Sequence, residues 1–563
     1  MTSIEKLIVQ VTVLEGKDLV AKDRNLLGKR TTSDPYCELY KMDQVVPLHR
    51  TTTQYKNLNP QWKETFVVQF VDKECRNPSL TIKLWDEDKH SSPDAMGTVT
   101  IPISAKKSPL QYKTDEWYEI PPESAKNAKG SLHIALDVTV VLAPTLIRGN
   151  HFPLNCDYVQ VGLAWDMLPG RKGVDLDVSC VAISTTGQLL MSDTVYYGNV
   201  ANSNESVLHS GDEQSGDEDG DDEKITFELR RIPPKVLCMY ILLTVATPDM
   251  RIPDIESATM RVYDTKKRST LCKFTPAHHA LSQDATAMFM VRIARSNNHW
   301  TLAIIEDTHP TARDFGSLIP YFKSYTYDLI PTIPVDPTER VAILRKGGNV
   351  RLRDYTLGGR LPSQLTFGLA WDVTDGVNID LDASAVCFDS QLKCVDVICA
   401  KQKHFQSKDG SIIHHGDEKE GDEIGDDETI GVVLDKVNPD VHYIAFVINS
   451  YSGQELDDVD RASCHLFDPA TGAEILTYAM SHSQSLDGYT ALLVGCLYRS
   501  AGDWGMCIIS EAAMGKVVNE NVDDLIQFLK KNTPQLPPVE APPEVGAVTK
   551  SRMPLVVPLL SDD

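Results

Sequence analysis

At 563 residues, with 42% hydrophobic and 24% charged residues, the chain has the composition of globular protein in roughly three or four domains. Its net charge of −24 comes without any basic patch, which argues against nucleic acid as a partner, because a phosphate-binding surface needs clustered Lys and Arg. The twelve cysteines contain no Cys-x-x-Cys pair, so neither a zinc ribbon nor a thioredoxin-like motif is present, and reduced core thiols are expected.

Met1 to Leu7 has no apolar signal region, and the longest apolar run, residues 236 to 246, is too short to span a bilayer. A cytoplasmic location is expected. Four runs in the first 142 residues alternate with period two and are rich in β-branched residues: Leu7–Leu14, Thr65–Phe70, Leu80–Trp85 and Leu132–Val140. This predicts antiparallel strands with one buried face, and hence a β-sandwich. Just beyond the strand ends lie Asp23, the run Ser33-Asp-Pro-Tyr36, then Asp86, Asp88 and Asp94.

Through Ser33-Asp-Pro-Tyr36, Leu58-Asn-Pro-Gln-Trp-Lys-Glu64 and the Asp-x-Asp of Asp86 and Asp88, this segment resembles the C2 domain family. The resemblance implies that Asp23, Asp34, Asp86, Asp88 and Asp94 chelate Ca²⁺ from two loops at one end of the sandwich, since hard cations take six to eight oxygen ligands. An insertion, Arg24 to Thr32, lengthens the first of these loops and carries the apolar pair Leu26-Leu27. That pair is the candidate membrane contact, entering an anionic phospholipid surface once Ca²⁺ cancels the loop charge; packing against a neighbouring domain is the competing role.

An internal repeat follows. Gly162-Leu-Ala-Trp-Asp166 recurs as Gly368-Leu-Ala-Trp-Asp372, Asp175-Leu-Asp-Val-Ser179 as Asp380-Leu-Asp-Ala-Ser384, and Arg295 and Trp300 as Arg499 and Trp504. Between these motifs each copy carries an acidic loop of the same length. His209 to Glu223 and His414 to Glu428 have glycines in the same three places, and eight of the last twelve residues of each are carboxylates. Neighbouring carboxylates repel by about 1 kcal/mol per pair even in water, so such a loop stays unfolded or holds cations. A solvated acidic tract explains neither the equal spacing nor the folded flanks of both copies. The EF-hand register is missing, and a strand rather than a helix follows each loop.

The repeats resemble the TerD family of tellurium-resistance and stress proteins, through Gly-Leu-Ala-Trp-Asp, Asp-Leu-Asp and the His-x-Gly-Asp…Gly…Gly-Asp-Asp-Glu loop. That implies Ca²⁺-binding β-sandwiches. The expected ligands in the first copy are Asp175, Asp177, Asp212, Glu213, Asp217, Glu218, Asp221, Asp222 and Glu223. In the second they are Asp380, Asp382, Asp417, Glu418, Asp422, Glu423, Asp426, Asp427 and Glu428. Glu213 and Glu418 stand where the family has Asn, and Glu218 and Glu423 where it has Gly, which adds charge to both loops. In Asp-Leu-Asp the two carboxylates share a strand face while Leu176 and Leu381 point into the core. His209 and His414, at loop entry, are expected to make structural hydrogen bonds because Ca²⁺ prefers oxygen.

The predicted architecture is all-β: a C2-like sandwich at 1–142, TerD-like sandwiches at 150–331 and 341–531, and a disordered Pro-rich tail at 532–563 that is the candidate docking segment for a protein partner. Helices are few, with Val522 to Lys531 the best candidate. No nucleophile elbow, phosphate-cradling loop, zinc-protease or dinucleotide motif is written, so no catalytic residue is expected. The expected activity is Ca²⁺-dependent, peripheral membrane association coupled to stress-response modules. The competing functions are a soluble receptor for a cyclic nucleotide or an oxyanion and an unrecognised metal-dependent hydrolase.

Overall fold

A computed structural model describes the chain except residues 1, 25–29, 43, 89–91, 168–173, 212–220, 277–282, 297–298, 374–379, 401–403, 417–425, 452, 457–458, 480–485 and 540–563. The predicted membrane contacts Leu26 and Leu27, the acidic-loop residues Asp212, Glu213, Asp217, Glu218, Asp417, Glu418, Asp422 and Glu423, and most of the tail therefore lie outside the described residues. The chain forms two compact units. One is Met1–Leu146 with Ser269–Lys273; the other is Ile147–Arg268 with Phe274–Asp563.

In the first unit, the strands Gln111–Glu119, Ser131–Leu146, Thr2–Lys17 and Gln61–Val71 hydrogen-bond in that order, all antiparallel. A second sheet runs His49–Arg50, Pro35–Lys41, Ser79–Asp86 and Asp94–Pro102. Period-two alternation does the sorting: Leu7, Val9, Val11 and Val13 are fully buried and share one core with Leu80, Ile82 and Leu84. The four predicted strands all lie within observed ones. At the insertion after Asp23, the described residues Asp23–Arg24 pair with Arg30–Thr32 as two short antiparallel strands.

In the second unit each repeat is a two-sheet sandwich. The first repeat orders Val207–His209, Glu223–Glu228, Tyr158–Met167 and Ile255–Asp264 on one side. On the other side are His151–Leu154, His299–His309, Ala287–Ser296, Val236–Val245 and Leu176–Ser184. The second repeat has sheets Ala342–Leu344, Ala473–Ala479, Val459–Asp468, Gln364–Val373, Glu428–Val433, Ile412–His414 and Asn349–Arg351, Asp503–Ala513, Ala491–Ser500, Tyr443–Ser450, Leu381–Phe388, Cys394–Ile398.

The Leu176–Ser184 strand is buried at every position, so it cannot alternate core with solvent. Its outer face is covered: helix α1, Ile319–Tyr325, brings Phe322 and Tyr325 onto Val181, Ile183 and Tyr240. In the second repeat helix α2, Val522–Lys531, lays Leu525 and Leu529 on the corresponding face, against Val386, Phe388 and Val447. The Arg and Trp shared by the repeats are structural. The guanidinium carbon of Arg295 sits 4.7 Å over the Trp300 ring, and that of Arg499 lies 4.8 Å over Trp504. All twelve cysteines are free thiols. Among the described residues no helix is long and apolar enough to cross a membrane.

Candidate cation sites

Strand register collects the aspartates of the first sandwich. Asp86 ends its strand opposite Asp94 on one side and Pro35, the neighbour of Asp34, on the other. Asp23 faces Thr32 in the short strand pair and accepts a hydrogen bond from its Oγ1 at 3.3 Å. The Asp34 N–H donates to Asp86 Oδ1 at 2.5 Å, and the Lys56 N–H donates to Asp34 Oδ1 at 2.7 Å. The Ser-Asp-Pro-Tyr motif holds this corner in place. Buried Ser33 donates to the Val20 carbonyl at 3.0 Å while accepting from the Lys22 N–H at 2.8 Å, and Arg50 stacks 3.7 Å over the Tyr36 ring. The Asn-Pro-Gln-Trp segment fixes the facing turn, with the Asp18 N–H donating to Asn59 Oδ1 and Trp62 Nε1 to the Thr52 carbonyl, each at 2.9 Å.

These carboxylates strain against one another. Burial pushes the Asp86 carboxyl up to about 6; the Asp34 N–H pulls the other way, and the charges of Asp23, Asp88 and Asp34 add to the rise. Asp23 is raised by burial and then by Asp34 and Asp88. An all-oxygen donor set whose members destabilise each other's charge suits a hard cation.

In the first repeat the described end of the acidic loop is Asp221-Asp222-Glu223, all nearly buried, with exposures of 5%, 5% and 1%. Each carboxylate is aimed by a specific partner. Glu223 Oε2 accepts from the Val178 N–H and Asp222 Oδ2 from the Trp165 N–H, both at 2.8 Å, so the triplet ties the two sheets together. Asp221 Oδ2 accepts from Arg261 Nη2 at 2.7 Å. Gly162 makes that possible, because a Cβ on it would overlap the Asp221 carboxyl; Gly368 stands in the same relation to Asp426. This accounts for the glycine that opens Gly-Leu-Ala-Trp-Asp.

His209 is structural, as its position suggested. Its Nδ1 accepts from the Gly211 N–H at 3.0 Å, and Nε2 therefore donates to the Val178 carbonyl at 2.9 Å. The second repeat keeps the plan: Asp427 Oδ2 accepts from the Trp371 N–H at 2.8 Å, Glu428 Oε2 from the Ala383 N–H at 2.5 Å, and His414 Nε2 lies 3.1 Å from the Ala383 carbonyl. Glu428 is 1% exposed, and its Oε1 has no hydrogen-bond partner among the described residues. Burial pushes that carboxyl up to about 7 against the opposing pull of His414. A buried carboxyl oxygen in this state suits a cation's ligand.

Within this arrangement the repeats differ at the residue facing the glycine. Where Arg261 pairs across from Gly162, His465 pairs across from Gly368. His465 Nε2 lies 2.7 Å from Asp426 Oδ1, and Nδ1 lies 2.7 Å from Glu474 Oε1. Burial favours the neutral ring, but the Glu474 and Asp426 carboxylates outweigh it and push His465 up to about 10, so it is a cation at neutral pH.

Of the Asp-Leu-Asp pairs, Asp175 and Asp380 are half-buried and Asp177 is 4% exposed, with Leu176 and Leu381 in the core as expected. Asp177 receives Arg345 Nη2 at 2.9 Å. Among the described residues no group of three or more His, Cys, Asp or Glu side chains is gathered as a metal site. Arg261, His465 and Arg345 carry no sequence signal of their own, since each reaches its aspartate from a distant strand or turn.

A TerD domain model matches residues 142–314 and again 341–527, and a C2 domain model matches 7–120. The chain belongs to the TerD family. It carries one C2 domain followed by two TerD domains. It is 34% identical over 175 residues to tellurium resistance protein TerZ of Serratia marcescens, covering 29% of this chain and 88% of that one. It is also 34% identical over 123 residues to synaptotagmin-1 of Caenorhabditis elegans, there covering 22% of this chain and only 26% of the relative. Among solved structures, a homologue of telluride resistance protein TerD from Streptomyces coelicolor aligns at 19% identity and a TM-score of 0.25, covering 29% of this chain and 96% of that one.

Proposed function

We propose that this TerD-family protein is a non-enzymatic Ca²⁺-binding protein whose C2 domain attaches peripherally to anionic phospholipid membranes when Ca²⁺ rises, presenting two TerD modules that bind Ca²⁺ as stress-response elements. The observation that carries the reading is the gathering of Asp23, Asp34, Asp86 and Asp88 at one end of the C2 sandwich, where burial and then the neighbouring carboxylates raise Asp23 and Asp86. Without a cation, that cluster repels an anionic headgroup surface. Bound Ca²⁺ supplies the charge that reverses this repulsion. Asp86 and Asp34 are held by backbone N–H groups and so are already aimed. The insertion that follows Asp23 carries Leu26 and Leu27. Two leucines entering the interface add a few kcal/mol, at about 1.5–3 kcal/mol each when fully buried.

In the TerD modules the anchored Asp-Asp-Glu triplets and the Asp-Leu-Asp pairs, Asp175 with Asp177 and Asp380 with Asp382, border the loops that hold the remaining carboxylates. Ca²⁺ bound there only by the folded chain couples ion binding to folding. Co-sedimentation with phosphatidylserine vesicles, with and without Ca²⁺, tests the reading, using Asp86→Asn with Asp88→Asn as the disabled variant.

A further inference from the structure

The Asp-Leu-Asp corner of the first repeat is reached by a side chain of the second. Val178, next to Asp177, donates its N–H to Glu223 Oε2 at 2.8 Å, so Asp177 lies beside the Asp221-Asp222-Glu223 triplet. Arg345 comes onto this corner. Its Nη2 donates to Asp177 Oδ2 at 2.9 Å and its Nε to the Tyr197 hydroxyl at 3.2 Å, while the guanidinium carbon lies 4.1 Å over the Tyr197 ring. The two partners differ in exposure: the Asp177 side chain is 5% exposed and that of Arg345 is 45% exposed.

Packed chain on both sides delivers the arginine. Before it, the Val341 N–H donates to the Gly316 carbonyl at 3.0 Å, and Ile343 packs on the first repeat's cluster that includes Phe315 and Tyr196. Gly316 permits this approach, because a Cβ there would overlap the Val341 carbonyl oxygen. After it, the Gly347 N–H donates to the Ile508 carbonyl at 3.0 Å and the Ile508 N–H to the Gly348 carbonyl at 2.8 Å, which fixes the turn to the second repeat. The contact between Arg345 and Asp177 therefore depends on how the two TerD modules dock.

We infer that Arg345 is a tethered counter-ion of the first TerD module's cation site, holding Asp177 in the Ca²⁺-free chain and competing with Ca²⁺ for it. This rests on the Ca²⁺ reading of the TerD modules proposed above, in which Asp177 is a ligand. A Ca²⁺ ion served by that carboxylate brings two positive charges within a few Å of the guanidinium, where like charges repel more strongly at a buried carboxylate than in water. The half-exposed arginine has room to leave, whereas the buried carboxylate does not. Ion binding and module docking thus oppose each other, and the opposition is reciprocal: whatever loosens the docking strengthens Ca²⁺ binding at the first module.

The second repeat lacks the platform for such a counter-ion. Val195 bridges Cys180 in the first repeat as Ile398 pairs with Ala385 in the second, which sets Ala400 in the place of Tyr197. An arginine has no ring to stack on there.

The test is calorimetric Ca²⁺ titration of the full-length chain carrying Asp86→Asn and Asp88→Asn, which leaves the TerD modules to report, with and without Arg345→Gln. Removal of the guanidinium is expected to tighten one Ca²⁺-binding step about tenfold, and Arg345→Lys, which keeps the charge, to restore most of the weaker binding. A second measurement follows the side chain itself in the unsubstituted chain, by phenylglyoxal labelling of arginines located by mass spectrometry. Arg345 is expected to label faster in saturating Ca²⁺ than in chelator. Arg292, 4% exposed and held by both oxygens of Asp328, is expected to stay slow in both. An unchanged Ca²⁺ isotherm in Arg345→Gln, or Arg345 labelling that ignores Ca²⁺, overturns the inference and leaves the Ca²⁺ reading standing. No Ca²⁺ binding by the chain with the C2 site disabled overturns both.

Discussion

His465 Nε2 meets Asp426 Oδ1 at 2.7 Å, in the place where the first repeat sets Arg261 on Asp221. One loop exit is pinned by a permanent cation and the other by a titratable one. His465 is raised to about 10 in the folded chain from a usual value near 6.5. Its charge therefore stabilises the fold fully below about pH 6.5, and that stabilisation fades as pH rises toward 10. After screening of a ring 27% exposed, the contribution is of order 1–3 kcal/mol. The melting temperature of the metal-free chain should fall more steeply over this window than that of His465→Arg; equal slopes would count against the pin.

Asp86→Asn removes a charge that the folded chain bears at a cost. A carboxyl raised to about 6 stabilises the fold below about pH 3.9 and loses that advantage as pH climbs through 6. At pH 7 without Ca²⁺ the variant should match or exceed the wild-type melting temperature, by up to about 2 kcal/mol of stability. In Ca²⁺ it should lose the C2 share of the ion's stabilisation. A metal-free variant much less stable than wild type would show that Asp86 is structural instead.

Gly162→Ala should dislodge Asp221, because the new methyl occupies the space of its carboxyl. The separation of Asp221 from Arg261 then leaves a buried charge pair broken, at a cost of about 3–5 kcal/mol. Chemical denaturation reads this directly. A loss under about 1 kcal/mol, the scale of an ordinary glycine-to-alanine change, would contradict the close approach.

Glu428→Gln tests the TerD loops separately from the C2 tip. Ions that bind only the folded state raise the melting temperature by mass action, about 2.7 kcal/mol at a hundredfold excess over Kd. With Asp86→Asn and Asp88→Asn disabling the C2 site, a Ca²⁺-dependent rise should persist, and it should shrink when Glu428→Gln is added. Absence of any rise in the chain with only the C2 site disabled would remove Ca²⁺ from the TerD modules.

Much of this was legible because the patterns were local. Period-two alternation marks Leu7 to Val13, and the helix candidate Val522 to Lys531 coincides with the observed α2. α1 shows no helical period in the sequence, because it is only seven residues long with a proline at its second position. The strands paired at Asp23 carry no sequence pattern, because they are only two and three residues long. The carboxylates of the candidate sites announced themselves by density. Their partners did not: Arg261 and His465 become visible only once the register sets them across from Gly162 and Gly368.

The central claim is that Ca²⁺ turns a self-repelling aspartate cluster into a membrane contact. Its most direct test is co-sedimentation of the full-length chain with phosphatidylserine vesicles. The account predicts pelleting in Ca²⁺, release by chelator, weakening as ionic strength rises, and loss of pelleting in the Asp86→Asn, Asp88→Asn chain. Pelleting that ignores chelator, or that survives both substitutions, would contradict it.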